Sequence, residues 1–236
     1  AFRHAGPVVG YASARMRNKV PIWVDEYPIS PVQEGRMDLA NPIRSAIPSS
    51  HGLVLAVLAS TGIPLSGRRI AALTDGQLSP KGANLALRHL VAHGIVLAED
   101  QPPSKLYSLN ESHLAAESIV ALAGMRRKLV SLLKERLQHW DDPPAGGWLF
   151  GSAARSTGGV ASDIDLLLVR PDAVDDDVWA FQLDELTEDV LGWTGNPCAI
   201  IEMSQAEFEA MKTSEARLVD ELRADGIPLV GDIDLG

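Results

Sequence analysis

The sequence predicts an α/β protein of two parts joined by a long helix: helices followed by a strand pair, then a mixed sheet with flanking helices. Three observations predict it. Apolar residues recur at helical spacing from residue 50 and give way to short alternating runs after Gly94. A further helical pattern fills residues 111–140 and ends at the breaker Asp141-Asp-Pro-Pro-Ala-Gly-Gly147. Beyond it, short apolar runs at 148–150, 164–169 and 198–203 alternate with a turn and a helix.

Length and charge set the frame. The 236 residues are 46% hydrophobic and 22% charged, the composition of a globular protein of one or two domains. No apolar run approaches the roughly 18 residues that cross a bilayer, so no membrane partner is expected. The early residues lack the continuous apolar core of a secretory signal. Cys198 is the single cysteine, which permits no internal disulfide and points to a cytoplasmic location. Up to Asp141 there are 16 Lys and Arg against 11 Asp and Glu (+5), and from Asp142 onward 5 against 20 (−15). A basic first part suits a nucleic-acid surface; the acidic second part needs cations before it can hold a phosphate.

Residues 1–48 carry six prolines and read as an extended arm with one strand around residues 20–24. Ser50 opens a helix bearing Leu53, Val54, Val57 and Leu58 that stops at Gly62, and residues 65–73 form a second. Ser79-Pro80 starts a third, with Leu85, Leu87, Leu90 and Val91, stopping at Gly94. Residues 95–97 and 106–109 then read as strands around a polar tip. Residues 49–110 thus resemble a winged helix-turn-helix, and the resemblance implies DNA contacts from Lys81, Asn84 and Arg88 on the third helix and Lys105 on the wing.

Residues 111–140 read as one helix opened by Asn110, a rod of about 45 Å with Leu122, Met125, Leu129, Leu133, Leu137 and Trp140 as its stripe. Such a stripe packs on its own domains or pairs two chains as a homodimer. The basic group Arg126-Arg-Lys128 reads as a solvated face.

Residues 141–236 form the last domain. Its first segment reads strand, glycine turn with a short helix, strand. Gly151 lets backbone approach a ligand, and Ser152 follows with a hydroxyl. Asp163 and Asp165 lie two apart on a strand, so both carboxylates point to one side of the sheet. Two like charges so close call for a cation between them, and paired carboxylates with substrate phosphates are how Mg2+ is held, or Mn2+ in its place.

Gly151-Ser152, ten residues, then Asp163-Ile-Asp165 resembles the signature of polymerase β-type nucleotidyltransferases, in particular the minimal nucleotidyltransferases of prokaryotes. The resemblance implies that Gly151, Ser152 and Arg155 bind a nucleoside triphosphate such as ATP and that Asp163 and Asp165 hold metal. Ser156 stands where those proteins often have glycine. The family also uses a third carboxylate on a neighbouring strand, for which Glu202 in Cys198-Ala-Ile-Ile-Glu-Met203 is the candidate catalytic base and metal ligand. Ser204 and Glu207 after it form a capping box.

The implied reaction transfers a nucleoside monophosphate from a triphosphate to a hydroxyl of a nucleic acid or protein. The alternative is a DNA-binding regulator whose nucleotidyltransferase-like domain senses nucleotide or serves as a scaffold. A small-molecule modifier would need an acidic acceptor pocket, for example from Asp184, Glu185 and Glu188. Asp175-Asp-Asp177 reads as a helix N-terminus, and His89 and His93, one turn apart, lack further zinc ligands.

Overall fold

The computed structural model describes residues 35–213 and 217–231, all within one compact unit, Glu34–Gly236. The strand expected around residues 20–24 lies outside the described residues.

After a one-turn helix α1 (Ile43–Ala46), the first part runs α2 (Ser50–Thr61), β1 (Leu65–Ser66), α3 (Gly67–Ala72), α4 (Pro80–Ala92), β2 (Val96–Gln101) and β3 (Ser104–Leu109). The caps explain the boundaries. Gly62 ends α2 at φ +62°, Ser66 accepts from the Arg69 amide at 3.3 Å, and Ser79 accepts from the Gly82 amide at 3.1 Å with Pro80 in the first turn. The strands form an antiparallel sheet in the order β1-β3-β2, with Leu65 opposite Tyr107 and Val96 opposite Leu109. Val54, Leu58, Ile70, Leu87 and Val96 close one core between helices and sheet. Leu85, counted in the apolar stripe from spacing alone, is 62% exposed and lies outside that core.

The single helix expected over 111–140 is two: α5 (Ala116–Ala123) and α6 (Met125–Gln138), parted at Gly124. The Gly124 amide turns back to the carbonyls of Val120 and Ala121 at 2.9 and 3.1 Å, which closes α5, while its own carbonyl accepts from Lys128 and opens α6. The break lets one stripe serve two cores. Ile119 of α5 joins the first, and Leu129, Leu133 and Leu137 of α6 join the second. Of the stripe, Leu129, Leu133, Leu137 and Trp140 are buried within this chain, while Leu122 and Met125 are half-buried.

The second part comprises β4 (Gly146–Phe150), α7 (Gly151–Arg155), β5 (Ile164–Arg170), α8 (Asp176–Thr194), β6 (Cys198–Ser204), α9 (Gln205–Thr213), α10 (Arg217–Asp225) and β7 (Ile227–Gly231). Its mixed sheet has the order β6-β5-β4-β7, with β5 and β6 parallel and the other neighbours antiparallel. Alternation along β5 divides the domain. Ile164, Leu166 and Leu168 face Leu133, Trp179 and Leu186 on one side; Leu167 and Val169 face Trp148, Phe208 and Leu222 on the other. Trp148 stacks on Phe208 with ring centroids 5.3 Å apart.

Asp175 caps α8, accepting from the amides of Asp177 and Val178, in keeping with its reading as a helix N-terminus. Arg136 of α6 donates to Asp189 at 2.7 Å and Glu185 at 2.9 Å of α8. Glu185 is thus tied to a structural cation, which counts against an acidic acceptor pocket built from it. Ser204 and Glu207 exchange their bonds as a capping box, and these bonds hold the Glu207 carboxyl below its usual range. Among the described residues no helix is long and apolar enough to cross a membrane.

Candidate active site

β4 delivers the chain to the site. Phe150 pairs with Asp165 across the sheet, and Gly151 then turns with φ +68°, where a Cβ would land on Asp165 Oδ2. Glycine is required there on two counts, a left-handed backbone and a carboxylate filling the space beside it. The short helix α7 ends at Ser156, whose φ is +60°. That left-handed backbone is one glycine adopts freely, and serine carries the added strain of a Cβ. The carbonyl of Ser152 then accepts from Thr157 and Gly158 at 3.1 and 3.2 Å, folding the next loop back over the turn.

Arg126 is not part of a solvated face. Its Nε donates to the Ala153 carbonyl at 2.9 Å and its Nη2 to that of Ala154. These carbonyls at the end of α7 have few partners within so short a helix, so one guanidinium satisfies both. Burial lowers the Arg126 pKa from its ordinary value.

Asp163 lies just before β5 and Asp165 within it, two apart as the spacing predicts. Burial raises the Asp165 pKa most, then the Asp163 charge, with Glu221 adding and Arg155 opposing. Arg155 is itself 3.8 Å from Asp225 of α10. Arg36, from the segment before α1, places Nη1 3.9 Å from Asp163 Oδ1. Burial, together with Asp165, pushes the Cys198 thiol up to about 12, so it stays protonated.

Glu202 is not brought to this pair. On the parallel strand β6, Ala199 lies opposite Asp165, whereas Glu202 lies opposite Leu168, three residues or about 10 Å farther along. The odd offset also puts it on the other face of the sheet, where its Oε2 accepts from the buried Trp179 Nε1 at 2.6 Å. Outside the pair, the charge of Glu221 of α10 also raises the Asp165 pKa. Neither Glu221, on an ordinary amphipathic helix, nor Arg36, in a proline-rich arm, carries a sequence signal.

Two carboxylates on one side of the sheet suit a Mg2+ ion completed by water and phosphate oxygens. Among the described residues no group of three or more His, Cys, Asp or Glu could hold a metal, so the protein itself supplies no closed cage.

In the first part, Lys81, Asn84 and Arg88 lie on the exposed side of α4. Asn84, Arg88 and Lys105 line one open groove with Tyr107, and Arg68 extends it. Lys105 pairs with Asp100 across the hairpin at 3.2 Å, both side chains exposed. His51 meets His89 edge-on and His89 lies tilted against His93, with ring centroids 4.9 and 4.3 Å apart.

Residues 127–224 match the family model of the nucleotidyltransferase domain. That span runs from α6 to α10 and supports nucleotidyl transfer as its chemistry. Among solved structures, the chain is similar to the crystal structure of a mutant of the toxin-antitoxin MntA-HpeT, at 16% identity over 45% of this chain and 73% of that one, with a TM-score of 0.27. No curated protein matches the chain.

Proposed function

We propose that the protein is a metal-dependent nucleotidyltransferase that moves a nucleoside monophosphate from a nucleoside triphosphate to a hydroxyl of a nucleic acid or protein. The observation that supports it most is the contact of Gly151 with Asp165: the glycine turn lies directly against one of the two aspartates. Bound there, Mg2+ would neutralise charge developing on the phosphates. The Ser152 hydroxyl and the turn amides orient the triphosphate, and Arg126 keeps the turn in shape by holding its last carbonyls. Arg155 offsets negative charge beside Asp165.

The exposed Lys81, Asn84 and Arg88 of α4, with Lys105 facing Asn84 and Arg88 across a groove, support reading residues 49–110 as a winged helix-turn-helix that brings duplex DNA, or a protein found on it, near the site. A second reading, a regulator that senses nucleotide without turning it over, is favoured by Ala199 standing opposite Asp165 where an acid is expected. Incubating the protein with each labelled nucleoside triphosphate and Mg2+ separates the two. Pyrophosphate release with label on a nucleic acid or protein, lost in Asp163→Asn/Asp165→Asn, supports transfer; magnesium-dependent binding without pyrophosphate release supports the sensor.

A further inference from the structure

The segment carrying Arg36 is tied to the site from both sides. A Cβ on Gly195 would strike the Gly35 carbonyl, so the two backbones run in contact. The Met37 amide donates to the Thr194 carbonyl at 3.0 Å and to Asn196 Oδ1 at 2.9 Å. Asn196, fully buried, returns a bond from Nδ2 to the Met37 carbonyl at 3.2 Å and another to the Ser162 carbonyl at 2.9 Å, one residue before Asp163. Leu39 is 1% exposed in the core beside the sheet, and the Ala40 amide donates to the Gly158 carbonyl at 2.6 Å. Asn196 therefore joins two strands of chain that carry Arg36 and Asp163, and the guanidinium is aimed at the aspartate by backbone anchors on either side.

Charge shows why a cation is imported. From Asp142 onward there are 5 Lys and Arg against 20 Asp and Glu. Each of the five faces an acid of the same part: Arg155 with Asp225, Arg170 with Asp176, Lys212 with Glu209, Arg217 with Glu221 and Arg223 with Asp220. Of these five, Arg155 is the one whose charge acts on Asp165. Arg36 lies outside residues 127–224 and has Asp163 as its ion-pair partner at 3.9 Å, longer than a hydrogen bond and partly open to solvent.

We propose that Arg36 is a nucleotide-binding residue: when a divalent cation takes Asp163, the guanidinium moves from the carboxylate to a phosphate oxygen of the triphosphate. The proposal rests on the nucleotide-site reading given above. A planar guanidinium with several N–H donors suits a phosphate better than it suits a carboxylate already shared with metal. The anchors at Met37, Leu39 and Ala40 do not involve the Arg36 side chain, so its replacement leaves the segment in place.

The test is calorimetric titration of the full chain with ATP, GTP, CTP and UTP in Mg2+, on the native protein, Arg36→Gln and Arg36→Lys, with melting temperatures alongside. Arg36→Gln is expected to weaken binding of the preferred triphosphate by about tenfold, the scale of one charge-assisted hydrogen bond. Arg36→Lys should fall between, keeping charge without the fork, and both should melt close to the native protein. Equal affinity in Arg36→Gln and the native protein overturns the assignment and leaves the nucleotide-site reading standing. Tighter Mn2+ binding in Arg36→Gln with unchanged triphosphate affinity also overturns it, making Arg36 a counter-ion of Asp163. If the native protein binds no triphosphate, the site reading fails and the assignment fails with it.

Discussion

Gly151 and Asp165 occupy adjoining space: the carboxylate oxygen Oδ2 lies where a side chain on residue 151 would begin. The turn and the acid pair are therefore one construction. Replacing Gly151 by Ala adds a Cβ at a left-handed φ of +68° and displaces Asp165. The backbone strain alone is about 1–2 kcal/mol, which lowers Tm by about 2–4 °C per kcal/mol in a chain of this size. Magnesium-dependent triphosphate binding should be lost as well. A Gly151→Ala protein that melts and binds like the native one would contradict the arrangement.

Asp165 makes stability depend on pH in a definite direction. Its folded pKa lies above the ordinary value of 3.8 because burial and Asp163 disfavour the charge. The folded state thus holds the proton more tightly than the unfolded one, and stability falls as pH rises from the ordinary carboxylate range through the raised folded value. Asp165→Asn should accordingly be more stable than the native protein at neutral pH, with the advantage vanishing below about pH 3.8. Urea unfolding of both proteins across pH 3 to 8 measures the difference. A variant less stable than the native protein at pH 7 would show that Asp165 is held by favourable contacts instead.

Glu202 and Trp179 form a structural pair. The indole N–H is buried and has Glu202 as its acceptor, so Glu202→Ala leaves a buried donor unpaired. The expected cost is about 1–3 kcal/mol of stability. Triphosphate affinity in Mg2+ should stay within about twofold, because the side chain lies on the face of the sheet away from Asp165. Loss of affinity with stability intact would return Glu202 to the site.

The reach of the sequence can be traced residue by residue. The turn at Gly151 and Ser152 and the strand start at Asp163 and Asp165 are legible because local pattern places them without knowledge of the rest of the chain. Caps at Ser79 and Asp175 are legible for the same reason. Glu202 misleads because strand register decides which residue faces Asp165, and one acid in an apolar run says nothing about register or face. Gly124 divides a helix whose stripe reads as continuous, since apolar spacing does not show that the two halves face different cores. Arg36 and Arg126 reach the site through contacts 127 and 27 residues distant in sequence, to Asp163 and Ala153, which local pattern cannot carry.

The basic groove of the first part makes a prediction independent of nucleotide chemistry. Lys81 and Arg88 project from the exposed side of α4, beside Asn84, and Lys105 faces Asn84 and Arg88 from β3. If duplex DNA lies there, each cation neutralises about one phosphate, and binding weakens with salt at a slope near −0.9 per contact. Lys81→Ala/Arg88→Ala should then weaken binding to duplexes of any sequence and flatten the salt dependence by about two contacts. Fluorescence anisotropy with a duplex of mixed sequence, titrated at several NaCl concentrations, measures both. Both side chains are exposed, so the double variant should fold as the native protein does. An unchanged slope would place any DNA contact elsewhere and leave this groove for a protein.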